Sequence, residues 1–347
     1  GRELEASESV LPVLIEKDFI HYPSFRPEPE HEVIERGLRA ISAAERPVIV
    51  AGGGVKISGA SAELVSLAEK MSIPGATSVN GKGAIIESHP LNVGVVGSYS
   101  CRCANQVVAE ADLVIYVGSN TGDQVTHNWT VPIPKTAVIQ IDIDPTEVGR
   151  SYGGAIGIVG DARNALQRLS DGFQGRKKSE LWLTRVDSLV SKWKEEIEPL
   201  RQSDAEPIRP ERLCKELTDL LDDNSVLLAD TGYSAIWAAT MVYLDHPNQT
   251  FLRAAGSLGW AFPAALGAKC AAPDRQVVCF TGDGAFWYHL SEMETAARHN
   301  INVVTIINNN HGLAQGIDDI HGVYEGRPGT PEGLYAFRPV NFALIAR

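Results

Sequence analysis

Short apolar runs alternate with amphipathic stretches along most of this 347-residue chain. Pro47 to Ala51 reads as a buried strand, Gly52-Gly53-Gly54 as the turn behind it, and Ala60 to Met71 as the next helix. Consecutive apolar residues suit a strand covered on both faces, and spacing near 3.6 suits a helix with one buried face. The unit recurs. A helix is predicted over His31 to Ala44, strands over Ile73 to Ser78, Leu113 to Val117, Ala137 to Ile143 and Ile156 to Val159, and helices over Ala104 to Glu110 and Ala162 to Leu169. Such alternation specifies a parallel sheet with helices on both faces.

From Asp171 to Asp204 the strand signal disappears, and charges with Trp182 and Trp193 fall at helical spacing. The pattern then restarts. A helix is predicted over Pro210 to Leu221, strands over Val226 to Ala229, Thr250 to Ala254, Gln276 to Thr281 and Asn302 to Ile307, and helices over Trp260 to Ala271 and Ser291 to Asn300. The expected fold class is α/β: two doubly wound parallel-sheet domains joined by a helical connector. The expected boundaries are a proline-rich linker over 1–30, domains over 31–170 and 207–347, and the connector over 171–206.

Charge and composition narrow the function. A net charge of −12 speaks against nucleic acid, whose phosphates call for clustered Lys and Arg. No apolar run is long enough to cross a membrane. Five cysteines without a paired framework point to reduced thiols and a cytoplasmic setting. The acidic first residues make no targeting peptide. The chain opens without Met and stops at Arg347 inside what reads as a helix, so it is expected to be a fragment.

Chemistry gathers at two strand ends. Gly282-Asp283-Gly284 closes one strand, and Asn308-Asn309-Asn310 closes the next, with Asn310 following Asp283 by 27 positions. A right-handed strand–helix–strand crossover would open both ends on one sheet edge. Asp283 then offers a carboxylate oxygen and Asn310 an amide oxygen, the hard donors that magnesium or calcium takes. Glycines beside them admit close ligand approach and leave N–H groups for phosphate oxygens. Each motif alone is ordinary turn structure; the pairing on this frame is what points to a metal.

That pairing resembles thiamine-diphosphate enzymes, in which G-D-G is followed some two dozen residues later by a double asparagine. The resemblance implies metal roles for Asp283, Asn310 and the backbone carbonyl of Gly312, and hence thiamine diphosphate with Mg2+. It further implies diphosphate contacts from Thr231, Gly232, Tyr233 and Ser234, with Gly282, Gly284 and Ala285 beside them. Gly256-Ser257-Leu258-Gly259-Trp260 resembles the segment under the thiazolium ring. Leu258 would prop the bent cofactor, and the Gly256 carbonyl would accept a bond from its aminopyrimidine. Gly52-Gly53-Gly54, Gly81-Lys82-Gly83-Ala84 and Ala111-Asp112-Leu113-Val114-Ile115 resemble the central domain of the acetolactate synthase, pyruvate oxidase and benzaldehyde lyase group. Some members bind FAD or an adenine nucleotide there. Here the triple glycine lacks the full dinucleotide fingerprint, and Ser119-Asn120-Thr121 stands where synthases often carry a basic residue.

The resemblance covers two of three family domains. The absent one supplies the glutamate that activates the cofactor, so no catalytic residue is assigned in this chain. The implied substrate is a small 2-oxo acid or acyl compound, and the implied assembly a homodimer or homotetramer. Three readings stay open: acetolactate synthase-like carboligation; a decarboxylase or lyase of the oxalyl-CoA decarboxylase or benzaldehyde lyase type; and a cofactor-binding fragment without activity of its own. His289 and His311 flank the motifs as proton-shuttle candidates, though a histidine beside a turn is more often simply solvated.

Overall fold

The computed structural model describes residues 14–347 apart from 176–178, 255 and 326. The first part of the expected linker, with Glu3, Glu5 and Glu8, lies outside the described residues, as do three residues of the connector.

The first sheet has six parallel strands in the order β3-β2-β1-β4-β5-β6. They are β1 (Pro47–Ala51), β2 (Gly75–Thr77), β3 (Asn92–Val95), β4 (Leu113–Val117), β5 (Ala137–Asp142) and β6 (Ile156–Val159). Around them lie α1 (His31–Ala43), α2 (Gly53–Ile57), α3 (Ser61–Met71), α4 (Arg102–Glu110) and α5 (Ala162–Gly172). β1 and β4 are buried at every position, as their unbroken apolar sequences require. One core packs Ile49 and Ile115 against α3 and α5 through Leu64, Leu67 and Leu166. The other packs Val48, Val50 and Val114 against α4 and Trp182. The reversal of strand order between β1 and β4 leaves a crevice at their carboxyl ends.

The triple glycine is needed by that crevice's own floor. A Cβ on Gly52 would lie 2.2 Å from the Gly118 carbonyl oxygen, and one on Gly54 would lie 2.7 Å from the Gly118 Cα. Close approach of two backbones, β1's turn against β4's end, accounts for both residues. The sequence pattern showed a turn here and missed the five-residue α2; it missed β3 as well.

The connector is helical as expected, with α6 (Glu180–Arg201) as its principal element. Trp182 is buried on it and donates Nε1–H to the Pro47 carbonyl at 3.0 Å, which fastens the helix to the first sheet. At its other end, buried Arg201 donates to the Met241 carbonyl of the second domain.

The second sheet has four parallel strands in the order β10-β9-β7-β8. These are β7 (Val226–Ala229), β8 (Thr250–Arg253), β9 (Val277–Gly282) and β10 (Val304–Asn308). Its helices include α7 (Pro210–Leu220), α8 (Tyr233–Met241), α9 (Ala261–Ala271), α10 (Asp283–Tyr288), α11 (Glu292–Arg298), α12 (Ile317–Tyr324) and α13 (Phe342–Ile345). The expected parallel crossover from β9 to β10 is present, with Asn308 in register with Gly282.

A buried ionic cluster joins the two sheets' domains. Lys56 donates to the carbonyls of Lys82 and Phe251, each at 3.1 Å. Lys82, 1% exposed, pairs with Glu87, whose other oxygen accepts the Leu244 N–H at 2.7 Å. No helix among the described residues is long and apolar enough to cross a membrane.

Candidate functional site

The carboxyl ends of β7, β9 and β10 and the turns after them enclose a cavity of about 260 Å³. Asp283 is the first residue of α10, directly behind β9, and is buried. Its Oδ2 accepts the backbone N–H of Gly312 at 3.0 Å, and Asn310 Oδ1 accepts the same N–H at 3.3 Å. The two predicted donor side chains therefore converge on one backbone group, although 27 positions separate them. His311 makes this possible by taking a left-handed φ of 60°, which folds Gly312 back toward Asp283. Burial pushes the Asp283 carboxyl above its ordinary range, while N–H groups of Gly284 and Gly312 oppose the shift. Asp283 has no cationic partner within ion-pair distance among the described residues.

Glycines shape the opposite wall. Gly232 caps α8 with φ 96°, and a Cβ there would meet only Gln315 Oε1, at 3.6 Å. A Cβ on Gly282 would meet only Ser234 Oγ at 3.6 Å, and one on Gly256 would meet nothing within 4 Å. The space a side chain would fill is thus left open beside the amino end of α8, where N–H groups favour an anion. A carboxylate without a counter-cation, an amide oxygen converging on it and an adjoining anion cradle together fit a hard divalent cation carrying phosphate oxygens.

Asp230 ties this arrangement together. It is buried at the end of β7 and accepts N–H bonds from Thr231 at 2.8 Å, Gly259 at 2.9 Å and Ala261 at 3.0 Å. Thr281 Oγ1 of β9 lies 3.4 Å from its Oδ2. Burial raises this carboxyl as well, and the backbone donors hold it down. Thr231 Oγ1 adds a bond to the Ala254 carbonyl at 3.1 Å.

Of the residues anticipated from sequence, Thr231, Gly232, Tyr233, Ser234, Gly256, Leu258, Gly282, Asp283, Gly284, Ala285, Asn310 and Gly312 all line the cavity. Ser257 does not, and neither do His289 and His311. Trp237, Leu313 and Gln315 line it without having been anticipated. Trp237 was hidden by α8, apolar on every side. Gln315 carried no motif, yet its Nε2 donates to Tyr99 Oη of the first domain at 2.6 Å.

Comparison with known proteins bears on both domains. Residues 34–169 match the model of the thiamine pyrophosphate enzyme central domain, and residues 230–347 match that of the thiamine pyrophosphate enzyme C-terminal TPP-binding domain. A probable acetolactate synthase large subunit of Methanocaldococcus jannaschii is 39% identical over 290 residues, covering 81% of this chain and 48% of the relative. That of Methanococcus aeolicus is 36% identical, over 81% of this chain and 49% of its own length. The acetolactate synthase isozyme 1 large subunit of Escherichia coli K12 is 31% identical, over 81% and 49%. The chain spans about half the length of these relatives.

Proposed function

Because the chain belongs to the thiamine pyrophosphate enzyme family, we propose that its second domain holds thiamine diphosphate through Mg2+ and serves acetolactate synthase-like carboligation of 2-oxo acids. The observation that carries the cofactor reading is the convergence of Asp283 and Asn310 on Gly312 beside the glycine-lined cavity. In this reading Asp283, Asn310 and the Gly312 carbonyl hold the metal. Thr231 to Ser234 and the amino end of α8 receive the diphosphate, with Gly282, Gly284 and Ala285 opposite. Leu258 and the Gly256 carbonyl face the rings, and Asp230 fixes the segment that carries them. Bound thiamine diphosphate supplies an electron sink for making and breaking carbon–carbon bonds beside a carbonyl.

The carboligase assignment draws its support from the acetolactate synthase relatives. The residue that activates the cofactor is assigned to protein outside these residues, in a homodimer or homotetramer whose site lies between subunits. A cytoplasmic location and domain boundaries at 31–170, 171–206 and 207–347 complete the proposal.

The cofactor reading is tested by calorimetry with thiamine diphosphate and Mg2+. Asp283→Ala is expected to abolish metal-dependent binding; unchanged affinity overturns the reading. The reaction class is tested separately, by product analysis with pyruvate on the full-length protein. Acetolactate supports carboligation, and acetaldehyde with carbon dioxide alone replaces it with the decarboxylase reading.

A further inference from the structure

Gln315 lies on a short 3-10 turn, Ala314–Gly316, between the Gly312 loop and α12, and lines the cavity assigned to thiamine diphosphate. It is exposed, and an untethered glutamine there would sample many rotamers. This one is held across a domain boundary, because its Nε2 donates to Tyr99 Oη of the first domain at 2.6 Å. Its Oε1 has no hydrogen-bond partner among the described residues. That oxygen lies 3.6 Å from where a Cβ on Gly232 would stand, beside the amino end of α8.

Tyr99 is built to keep its hydroxyl in place. Its half-buried ring packs against the core that Val79 and Val95 share with Leu227 and Ala238 of the second domain. Arg253, from the end of β8, sets its Cζ 5.7 Å from the ring centroid and donates Nε to Asn80 Oδ1 at 3.0 Å. Asn105 of α4 straps the turn on both sides of Tyr99. Its Oδ1 accepts the Gly97 N–H at 2.8 Å, and its Nδ2 donates to the Gly97 carbonyl at 3.0 Å and to Ser100 Oγ at 2.9 Å.

A tyrosine hydroxyl both donates and accepts, whereas a glutamine amide has one donor end and one acceptor end. The last torsion of glutamine is broad and nearly two-fold. The amide can therefore turn over and keep Tyr99, whose O–H then donates to Oε1 while Nε2 comes to the side of Gly232. An acceptor at that wall repels phosphate oxygens, and an N–H₂ group receives them.

We propose that Gln315 is a further cofactor-binding residue, which turns its Nε2 donor to phosphate oxygens at the amino end of α8, and that Tyr99 is the positioning residue that holds the amide there. The assignment rests on the proposed thiamine diphosphate site and gives the first domain a part in it.

The test is calorimetric titration of the whole chain with thiamine diphosphate at saturating Mg2+. Gln315→Met, which cannot donate, is expected to weaken the cofactor about tenfold. Gln315→Glu, which turns a carboxylate to the phosphates, is expected to weaken it more than Gln315→Met does. Tyr99→Phe, which loses the hydroxyl alone, is expected to weaken it about threefold in the parent and to have no effect in the Gln315→Met background. A positioning role acts through the amide and vanishes with it; a merely structural role would persist. Gln315 is exposed, so its two variants decide the binding role even if Tyr99→Phe does not fold. The assignment is overturned if both Gln315 variants bind as tightly as the parent, if Gln315→Glu binds no more weakly than Gln315→Met, or if Tyr99→Phe has the same effect in both backgrounds. Asp283→Ala separates this failure from that of the thiamine reading. Binding lost in Asp283→Ala but kept in the Gln315 variants overturns the present assignment alone, and a parent that binds no thiamine diphosphate overturns both.

Discussion

Asp230 accepts the backbone N–H of Gly259 at 2.9 Å, joining the end of β7 to the turn that carries Leu258 into the cavity. Its second oxygen accepts Ala261 N–H, the start of α9, at 3.0 Å. One carboxylate therefore sets where that turn stands relative to the amino end of α8. Asp230→Asn preserves size but aims an amide N–H₂ at one of these donors. A buried donor left unmade costs about 1–3 kcal/mol, so urea unfolding should show a loss of that order, with weaker thiamine diphosphate binding. Parent-like stability would mean that the four contacts carry no net weight.

The fold was legible where chain periodicity and tertiary burial agree. β1, β4 and β9 read as unbroken apolar runs and are buried strands. β3 was not legible because Asn92-Val93-Gly94-Val95 alternates with a glycine at φ 91°, whose missing Cβ makes room for Cys101 Sγ. That reason is tertiary and leaves no mark on local sequence. Asp283 and Asn310 were legible because hard oxygen donors at neighbouring strand ends have few purely structural uses. Arg253 was not: an arginine ending a strand looks solvated, and only the packing of two domains turns it into another domain's crevice.

Lys56 sits in the interdomain cluster beside Lys82, Glu87 and Arg275, and burial with the Lys82 charge pushes its ammonium down from an ordinary 10.5 to about 8. Below pH 8 both folded and unfolded chains carry this proton, and the burial cost is fully present. Between about 8 and 10.5 the folded chain releases it while the unfolded chain keeps it. Stability contributed by this group then rises with pH, by about 3 kcal/mol at most. Lys56→Met lacks that titration. The unfolding free energy of the parent minus that of the variant should increase between pH 7 and pH 10, and a flat difference would refute the buried-charge account.

Gly232 is held at φ 96° and ψ −156°, a region that residues with a side chain avoid. Its absent Cβ faces the cavity near Gln315 Oε1, so Gly232→Ala combines backbone strain with a methyl group placed where the diphosphate is proposed to lie. The strain is worth about 1–3 kcal/mol, read in urea unfolding without cofactor. Gly316→Ala provides the comparison, because Gly316 lines the same cavity at φ −100° and a Cβ there meets nothing within 4 Å. Its stability should match the parent's. If Gly232→Ala also matched the parent in stability and in thiamine diphosphate affinity, neither the positive φ nor the open space beside α8 would serve the cofactor, and the anion cradle would have to be sought elsewhere.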